Sequence, residues 1–559
     1  MSMTISILGG VGLFLLGMTV MTSGLKTLAG PALRSVLGKA AATPLRGAFW
    51  GAMVTLLVQS SSATIMTTIG LVSAGLLTFP QGLGLVLGAN VGTTGTGWLI
   101  ALIGVRVSLT AAALPMIFVG ALIKLLGHGR VSAAGAALAG FALVLFGLTT
   151  LQQGMGGLAE QLHPADLPAV LGAPGVEWGS GSLAVIMLVG VGLVMTSVMQ
   201  SSTAAIAVTL SAYFAGAVGL DQACALIIGQ NIGTATSSAM AAIGASSTAK
   251  RLALAYILVK LIAAAIALVL FPLVIPLLTR ASSTIDGVTL LAGYHTAYNV
   301  VGVAVVMPLM GKFTQFVERI LPERGSPLTR CLDPSALATP IIAVEAVRRT
   351  VARTVVALCN SLDVRLASLS RGEALHRGKD VIPFSELTDA LRQAQEFISG
   401  MDGPLDSKDD QRRLTSTLHA LHHASRLAET TGEEGGFETA IGDPGGVRAV
   451  KLCAEVMRST ALMAGAIIEP ARADGQMASL ELPEPPSDVS NTRVILQLEH
   501  WAKELGDVQR SHRSATLSAA AGGELTATEA MGRVDTVRRL AALAHHAWRT
   551  AAHLTGVGT

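Results

Sequence analysis

Acidic residues are almost missing from the first half of this chain. Of its 36 Asp and Glu residues, five lie before Lys312: Glu160, Asp166, Glu177, Asp221 and Asp286. Charged residues make up 13% of the whole and aromatic ones 4%. The net charge of +3, with no basic run interleaved with aromatics, gives no reason to expect a nucleic-acid partner. Cys224, Cys331, Cys359 and Cys453 are scattered without a C-x-x-C, which argues against a disulfide framework or a zinc site. There is no nucleophile elbow, P-loop, metal triad or pair of catalytic carboxylates, so neither enzyme chemistry nor a cofactor is expected. No basic region precedes the first apolar stretch. That stretch therefore reads as a membrane span and not as a cleaved signal.

Long apolar runs fill the acid-poor half. Stretches near the roughly 20-residue spanning length fall at about 4–25, 81–103, 107–126, 133–151, 222–244, 251–279 and 288–311. Two more, about 46–77 and 182–219, are interrupted by Gln59-Ser60-Ser61-Ser62 and Gln200-Ser201-Ser202-Thr203. Polar residues at bilayer depth are tolerated where they line protein or water. Each interrupted stretch is expected to be a re-entrant hairpin of two short helices meeting at a tip.

The two tips belong to a duplication. Gln59 to Asn90 and Gln200 to Asn231 both span 31 residues, at an offset of 141. In that register Gly51 matches Gly192, Thr55 matches Thr196, Gly88 matches Gly229, and "GANVGTT" (88–94) recurs as "GQNIGTA" (229–235). Gly10, Gly17 and Gly24 match Gly140, Gly147 and Gly154 at an offset of 130. An odd number of crossings separates the copies, so they enter from opposite faces. That is the inverted repeat of secondary transporters. Repeat 1 is expected at about 5–126, repeat 2 at about 133–279 and an extra span at 288–311, within a transmembrane domain 1–312.

Basic residues set the orientation. Lys26, Arg34, Lys39 and Arg46 share one acid-free segment, and threading onward puts Lys124, Arg130, Lys250, Arg251, Lys312 and Arg319 on the same side. Glu160, Asp166 and Glu177 fall opposite, with Arg106 and Arg280 as exceptions. Seven crossings then place the N-terminus outside and the C-terminus in the cytoplasm.

With no carboxylate deep in a span, a coupling cation must use hydroxyl, amide and freed carbonyl oxygens. That suits sodium. Proton coupling would need a buried acid or histidine, and His295 is the one candidate. A helix starting after each tip turns unpaired N–H groups and a positive dipole end toward it, which suits an oxyanion. Serine in membrane helices often only bonds back to the backbone, but the same cluster at one register in both halves favours binding. The Gly-rich segments 88–97 and 229–233 are expected to break their helices. Gln81 and Gln222, at helix starts, read as caps.

The paired Gln-Ser-Ser-[Ser/Thr] motifs, each followed by Gly-x-Asn-[Val/Ile]-Gly-Thr, resemble the type II sodium–phosphate cotransporters and their bacterial relatives over roughly residues 5–311. The resemblance implies inorganic phosphate as substrate, sodium as coupling ion and a place in the cytoplasmic membrane. Phosphate contacts would be Ser60, Ser61, Ser62, Ser201, Ser202 and Thr203. Gln59, Gln200, Asn90, Asn231, Thr93 and Thr234 would be sodium or structural ligands. A sodium–dicarboxylate or other oxyanion carrier, or a phosphate sensor, are the alternatives. One departure concerns the His-x-x-x-Asn pattern that bacterial relatives often carry after the second broken helix. Here that place reads Tyr256 and Lys260, while His295 and Asn299 keep the pattern in the next span. Lys260 either snorkels to the cytoplasmic edge or supplies a fixed charge in place of a sodium ion.

Residues 313–337, with Pro322, Pro327 and Pro334, read as a linker. Beyond it, from 338 to 559, amphipathic periodicity marks helices at about 338–372, 384–402, 407–430, 446–471, 491–518 and 525–555, separated by breaks at 431–446 and 473–490. Tandem three-helix bundles are expected. This region resembles PhoU-type domains, which implies a soluble cytoplasmic regulatory domain whose partner is a phosphate-signalling protein. Glu345 and Asp363 lie too far apart for one metal motif, and Glu433 and Glu434 read as a solvated loop. His419, His422 and His423 share a helix as packing or surface residues more readily than as a zinc site. The fold class is therefore all-α: a polytopic membrane protein with inverted repeats and two re-entrant hairpins, followed by a soluble helical bundle.

Overall fold

The structure, a computed structural model, describes residues 3–40, 43–104, 110–161, 163–171, 176–243, 246–322, 326–337, 339–371, 382–401, 403, 405, 407–433, 437–468 and 489–556. The side chains of Arg34 and Lys39, all of Arg106 and Glu434, and most of the break at 473–490 lie outside the described residues. Every regular element among the described residues is helical. The first helices are α1 (Met3–Ala40), α2 (Pro44–Val58), α3 (Ser61–Ser73), α4 (Phe79–Gly92), α5 (Gly95–Leu99), α6 (Thr110–Leu126) and α7 (Arg130–Ala159). Then follow α8 (Trp178–Met199), α9 (Ser202–Phe214), α10 (Leu220–Ala241), α11 (Ser247–Ala281), α12 (Gly287–Val306) and α13 (Met310–Ile320). The rest are α14 (Pro334–Leu337), α15 (Pro340–Arg371), α16 (Phe384–Ser399), α17 (Lys408–Gly432), α18 (Pro444–Ile468), α19 (Val489–Ala521) and α20 (Ala527–Leu554).

Six helical runs among the described residues are long and apolar enough to cross a membrane: Met3–Ala29, Phe79–Leu102, Arg130–Ala159, Gly179–Met199, Ser247–Ala281 and Gly287–Ile320. Seven stretches were expected, and two of them, 107–126 and 222–244, are not in this set. α6 has only 17 residues. α10 has 22 but carries Gln222, Gln230 and Asn231, all buried. A helix enclosed by protein can hold amides that lipid would not tolerate. In return, the first arm of the interrupted stretch 182–219 is itself long enough to count.

Clustering of contacts divides the chain into two units: residues 1–69 with 78–323, and Gly70–Leu77 with Arg324–Thr559. In the first unit α1 packs on α7, α2 on α4, and α8 on α10. These pairs close on glycine. A Cβ at Gly88 would lie 1.8 Å from the Ala48 carbonyl oxygen, and one at Gly229 would lie 1.9 Å from that of Val189. Backbones approach closely in membranes where small residues line the crossing. The same two contacts recur at the 141-residue offset. α4 ends at Gly92 and a short turn at Thr93 and Thr94 leads into α5, as expected for the segment 88–97. At 229–233 the expectation fails, because α10 runs unbroken to Ala241. The cause is composition. Gly92, Gly95 and Gly97 loosen the first copy, whereas Gly233 alone stands in the matching stretch of the second. Gln81 and Gln222 do cap: their Oε1 atoms accept from the backbone N–H groups of Thr78 and Gly219, each at 2.8 Å.

In the second unit, six long helices share one core that includes Val351, Leu358, Leu391, Leu427, Met457, Leu498 and Leu540. α15 packs on α18 and α17 on α20, so the two helix triplets interdigitate across a common interior. α13 already occupies the start of the stretch read as a linker. Gly70–Leu77, the end of α3 and its following turn, is held inside this unit. Ser73 Oγ donates to Asp333 Oδ2 at 3.0 Å, and Arg349 Nη1 donates to the Gly75 carbonyl at 2.8 Å. Glu345 orients Arg349 at 3.0 Å, and Asp363 pairs with Arg458 at 3.2 Å, so both acids serve ion pairs.

α17 and α20 bring six histidines together. The Nδ1 atoms of His423 and His546 lie 3.1 Å apart, and the His553 ring stacks on His419 and His423 at 4.9 and 5.7 Å. Among the described residues no group of three His, Cys, Asp or Glu side chains is arranged to hold a metal. Burial first, then neighbouring His546, Arg549, His553 and His422, pushes His423 down to about 3. His546 falls to about 4 through burial, His545, Arg426 and His422, against a raising contribution from Glu429. His553 falls to about 4 through burial, Arg549 and His419.

Two outcomes are expected. Gly88→Ala or Gly229→Ala should destabilise the detergent-solubilised protein by about 1–3 kcal/mol, read as a lower thermal midpoint, whereas Gly9→Ala, which faces open space, leaves it unchanged. The histidine cluster binds fewer protons folded than unfolded between its depressed values and the ordinary value of about 6.5. Stability is therefore full above neutrality and falls as pH drops from about 6.5 toward about 4. His423→Leu should flatten that decline in thermal melts at pH 7.5 and 5.5.

Candidate functional site

α2 and α8 both end on a glutamine held in the left-handed region: Gln59 at φ 57° and Gln200 at φ 51°. A side chain with a Cβ is rarely found there. Both are tied down by the same pair of contacts. Gln59 Nε2 donates to the Leu56 carbonyl at 2.5 Å and its Oε1 accepts from Thr96 Oγ1 at 2.6 Å. Gln200 Nε2 donates to the Ser197 carbonyl at 2.5 Å and its Oε1 accepts from Ser237 Oγ at 2.8 Å. The amide nitrogen thus covers a carbonyl that the helix end leaves open, and the amide oxygen is held by a hydroxyl from the neighbouring helix.

The chain reverses at the tip and a new helix starts at once. Ser60 Oγ accepts from the Ala63 N–H at 3.3 Å, and Ser201 Oγ accepts from the Ala204 N–H at 3.2 Å, as N-caps do. Among the described residues the hydroxyls of Ser61, Ser62, Ser202 and Thr203 have no hydrogen-bond partner. Thr55 Oγ1 donates to Thr64 Oγ1 at 2.9 Å and pins α2 to α3.

One cavity of about 570 Å³ receives both tips. Its walls include Gln59, Ser60, Ser61, Ser62, Thr93 and Thr96 from the first copy, and Gln200, Ser201, Ser202, Thr203, Thr234 and Ser237 from the second. Among the described residues no carboxylate lines it, and the exposed Lys26 is the only formally charged lining residue. Two helix N-termini and a lysine give the space a positive bias, and free hydroxyls supply donors. A tetrahedral oxyanion matches that donor set. The amide oxygens of Gln59 and Gln200, with the hydroxyls of Thr96 and Ser237, are the neutral hard oxygens a small monovalent cation would take.

Ten of the twelve residues expected at the phosphate and sodium sites line this cavity. The other two, Asn90 and Asn231, are buried beside it. Both accept from the Lys260 ammonium, at 2.7 Å to Asn90 Oδ1 and 2.5 Å to Asn231 Oδ1. Lys260 is 1% exposed, so it does not snorkel. His295 is also buried and is not a lining residue. Thr96 and Ser237 escaped the sequence reading, although Ser237 follows Thr96 at the same offset of 141 and could have been found by extending the alignment of the copies; Tyr256, noted there only as the residue in place of the histidine, also lines the cavity.

The chain matches the family described as Na+/Pi-cotransporter over residues 13–153 and 183–289. It is 27% identical over 444 residues to YjbB of Escherichia coli, whose name assigns it provisionally to inorganic phosphate export, and covers 77% of both chains. It is 27% identical over 316 residues to the uncharacterised protein YqeW of Bacillus subtilis, covering 56% of this chain and 96% of that one. The human sodium-dependent phosphate transport protein 2B is 31% identical over 103 residues, 18% of this chain and 15% of that protein. No solved structure matches. Through its membrane half, residues 13–289, the chain belongs to the Na+/Pi-cotransporter family, which is a family of transporters and not of enzymes.

Proposed function

We propose that this protein carries inorganic phosphate across the cytoplasmic membrane with sodium, by alternating access, under the control of its C-terminal helical unit. The supporting observation is the pair of Gln-Ser-Ser tips meeting in one cavity without a carboxylate. Phosphate binds the Ser60–Ser62 and Ser201–Thr203 clusters through hydroxyls and first-turn N–H groups. Sodium binds at Gln59, Thr93, Gln200 and Thr234, joined by Thr96 and Ser237. Asn90 and Asn231 are already committed to Lys260, the charge substitute.

α3 and α9 have 13 residues each. At 1.5 Å per residue they reach about 20 Å, short of the roughly 30 Å hydrocarbon layer, which supports reading α2–α3, whose first arm has 15 residues, as a re-entrant hairpin; α8 is long enough to cross, and the repeat favours reading α8–α9 the same way. The hairpins enter from opposite faces as an inverted repeat, with the N-terminus outside and the C-terminal unit in the cytoplasm. Transport domain, linker and PhoU-like domain follow the boundaries 1–312, 313–337 and 338–559. Relatives named for phosphate export favour efflux as the working direction, which the same carrier supports when the phosphate gradient points outward.

Regulation runs through Gly70–Leu77, where α3 continues into the second unit. Gly75 and its counterpart Gly216 both have positive φ, 75° and 83°. Gly75 is gripped by Arg349, while an added Cβ at Gly216 would meet nothing. α3 thus runs without a break from the first unit into the second, and a phosphate-signalling partner acting on the second unit reaches the first along that helix.

Labelled phosphate flux in proteoliposomes, with and without a sodium gradient, tests the carrier reading. Inhibition by arsenate and not by succinate is expected, and a pure sensor would show no flux. Gln59→Ala and Ser201→Ala should each lower flux at least about tenfold, as loss of a hydrogen-bond partner in the site does, with the protein still folded. Wild-type flux in both would refute the site. Asp333→Ala, which releases Ser73, should change the maximal flux while leaving half-saturation by phosphate unaltered. No change in flux would remove this contact from regulation.

A further inference from the structure

The centre of the first unit holds a cation of its own. Lys260 Nζ sits between Asn90 Oδ1 and Asn231 Oδ1, at 2.7 and 2.5 Å. These asparagines are matching positions of the two copies, so the ammonium lies where the halves meet. The amides are not free to turn. Asn90 Nδ2 and Asn231 Nδ2 both donate to Asn299 Oδ1, at 2.7 and 2.9 Å, and Asn299 Nδ2 donates to the His295 carbonyl at 2.8 Å. That chain of donors fixes which end of each amide faces inward. Two carbonyl oxygens are thereby aimed at one point, an arrangement that repels unless a cation stands there. The Tyr256 ring adds its face, 5.0 Å from Nζ, and Tyr256 also lines the cavity. Among the described residues no carboxylate pairs with it, and the acids nearest to Lys260 in sequence, Asp221 and Asp286, stand at the starts of α10 and α12.

We propose that Lys260 is a tethered cation filling an amide-oxygen cation site between the two copies, so that this carrier couples phosphate to one fewer free sodium ion than the same scaffold without the lysine. The inference rests on the carrier reading for its consequence, though not for its geometry. Two functions follow. The ammonium holds the halves together at the junction whether or not sodium is present. As an ammonium it also places a positive charge beside the cavity that stays attached to the chain, whereas an exchangeable ion leaves. Fewer co-transported sodium ions weaken the inward drive and let the phosphate gradient set the direction of flux.

The test uses the full chain and two variants. Lys260→Ala empties the site and leaves room for an ion, while Lys260→Met fills the space without a charge. Phosphate flux in proteoliposomes is measured against sodium concentration, with choline as the balancing cation, and thermal midpoints are measured in the same two salts. Leaving two buried amide oxygens without a cation should lower flux about tenfold or more at low sodium. For Lys260→Ala, high sodium should restore flux with a steeper sodium dependence than wild type, and sodium over choline should raise its thermal midpoint more than that of wild type. Lys260→Met should stay impaired at every sodium concentration. If Lys260→Met does not fold, Lys260→Ala decides alone. Wild-type flux and sodium steepness in Lys260→Ala, or a loss that sodium fails to restore with no added sodium stabilisation, overturns the proposal. Absence of phosphate flux in the wild type would instead defeat the carrier reading, and the thermal comparison would still judge the cation site.

Discussion

Inside a membrane domain a helix can stop only where something replaces the hydrogen bonds it gives up. Gln59 and Gln200 are that replacement. Each one turns the backbone into the left-handed region, covers a stranded carbonyl with its own amide nitrogen, and fastens its amide oxygen to a hydroxyl on a neighbouring helix. Once the chain has reversed, a second helix must begin, and its first N–H groups emerge at the tip. The donor-rich cavity is the consequence of ending a helix in this way twice. A glycine would adopt the same backbone angle more readily. It would offer neither the carbonyl cover nor the oxygen, and the tip would fray.

Such tips are useful only if they are held still, and the glycine contacts do that. With Gly88 under Ala48 and Gly229 under Val189, α2 and α8 lie against α4 and α10 at backbone contact, with no side chain between them. Dispersion between backbones at that range, together with the small-residue crossing of α1 on α7, substitutes for the hydrophobic drive that lipid does not provide. The polar residues of α10 fit the same logic. Gln222, Gln230 and Asn231 are buried by protein, and the half-buried Thr234 and Ser237 line the cavity, so the unbroken helix holds its amides and hydroxyls against protein and cavity.

The sequence carried the part of this that is local or repeated. The offset of 141 found both tips, their serines and the matched glycines, and periodicity located six C-terminal helices, because an amphipathic face is written in neighbouring residues. It did not carry what depends on distant packing. Lys260 looked able to reach the membrane edge because its distance along the helix was known, while the two asparagines waiting for it come from α4 and α10. The unbroken α10 was missed because Gly229 and Gly233 read as helix breakers, yet glycine in a tightly packed crossing is there for proximity. That Gly70–Leu77 joins the C-terminal unit could not be read at all, since Asp333 lies 260 residues from Ser73.

A duplicated scaffold with equal halves would have no reason to prefer one face of the membrane. Here the halves have diverged at three places that bear on the balance between states. The first copy breaks at Thr93 and Thr94 where the second stays helical. Thr64 braces the first tip through Thr55, but the matching residue in the second copy is Ala205, and Thr196 Oγ1 is left buried without a partner. The Gly75 carbonyl after α3 accepts from Arg349, while among the described residues an added Cβ at Gly216, after α9, would meet nothing. Each asymmetry stiffens or loosens one hairpin relative to the other. A shift of about 1.4 kcal/mol in that balance changes a two-state ratio tenfold. Under the carrier reading, the resting face of the cavity is set by these few contacts and not by the repeated motif.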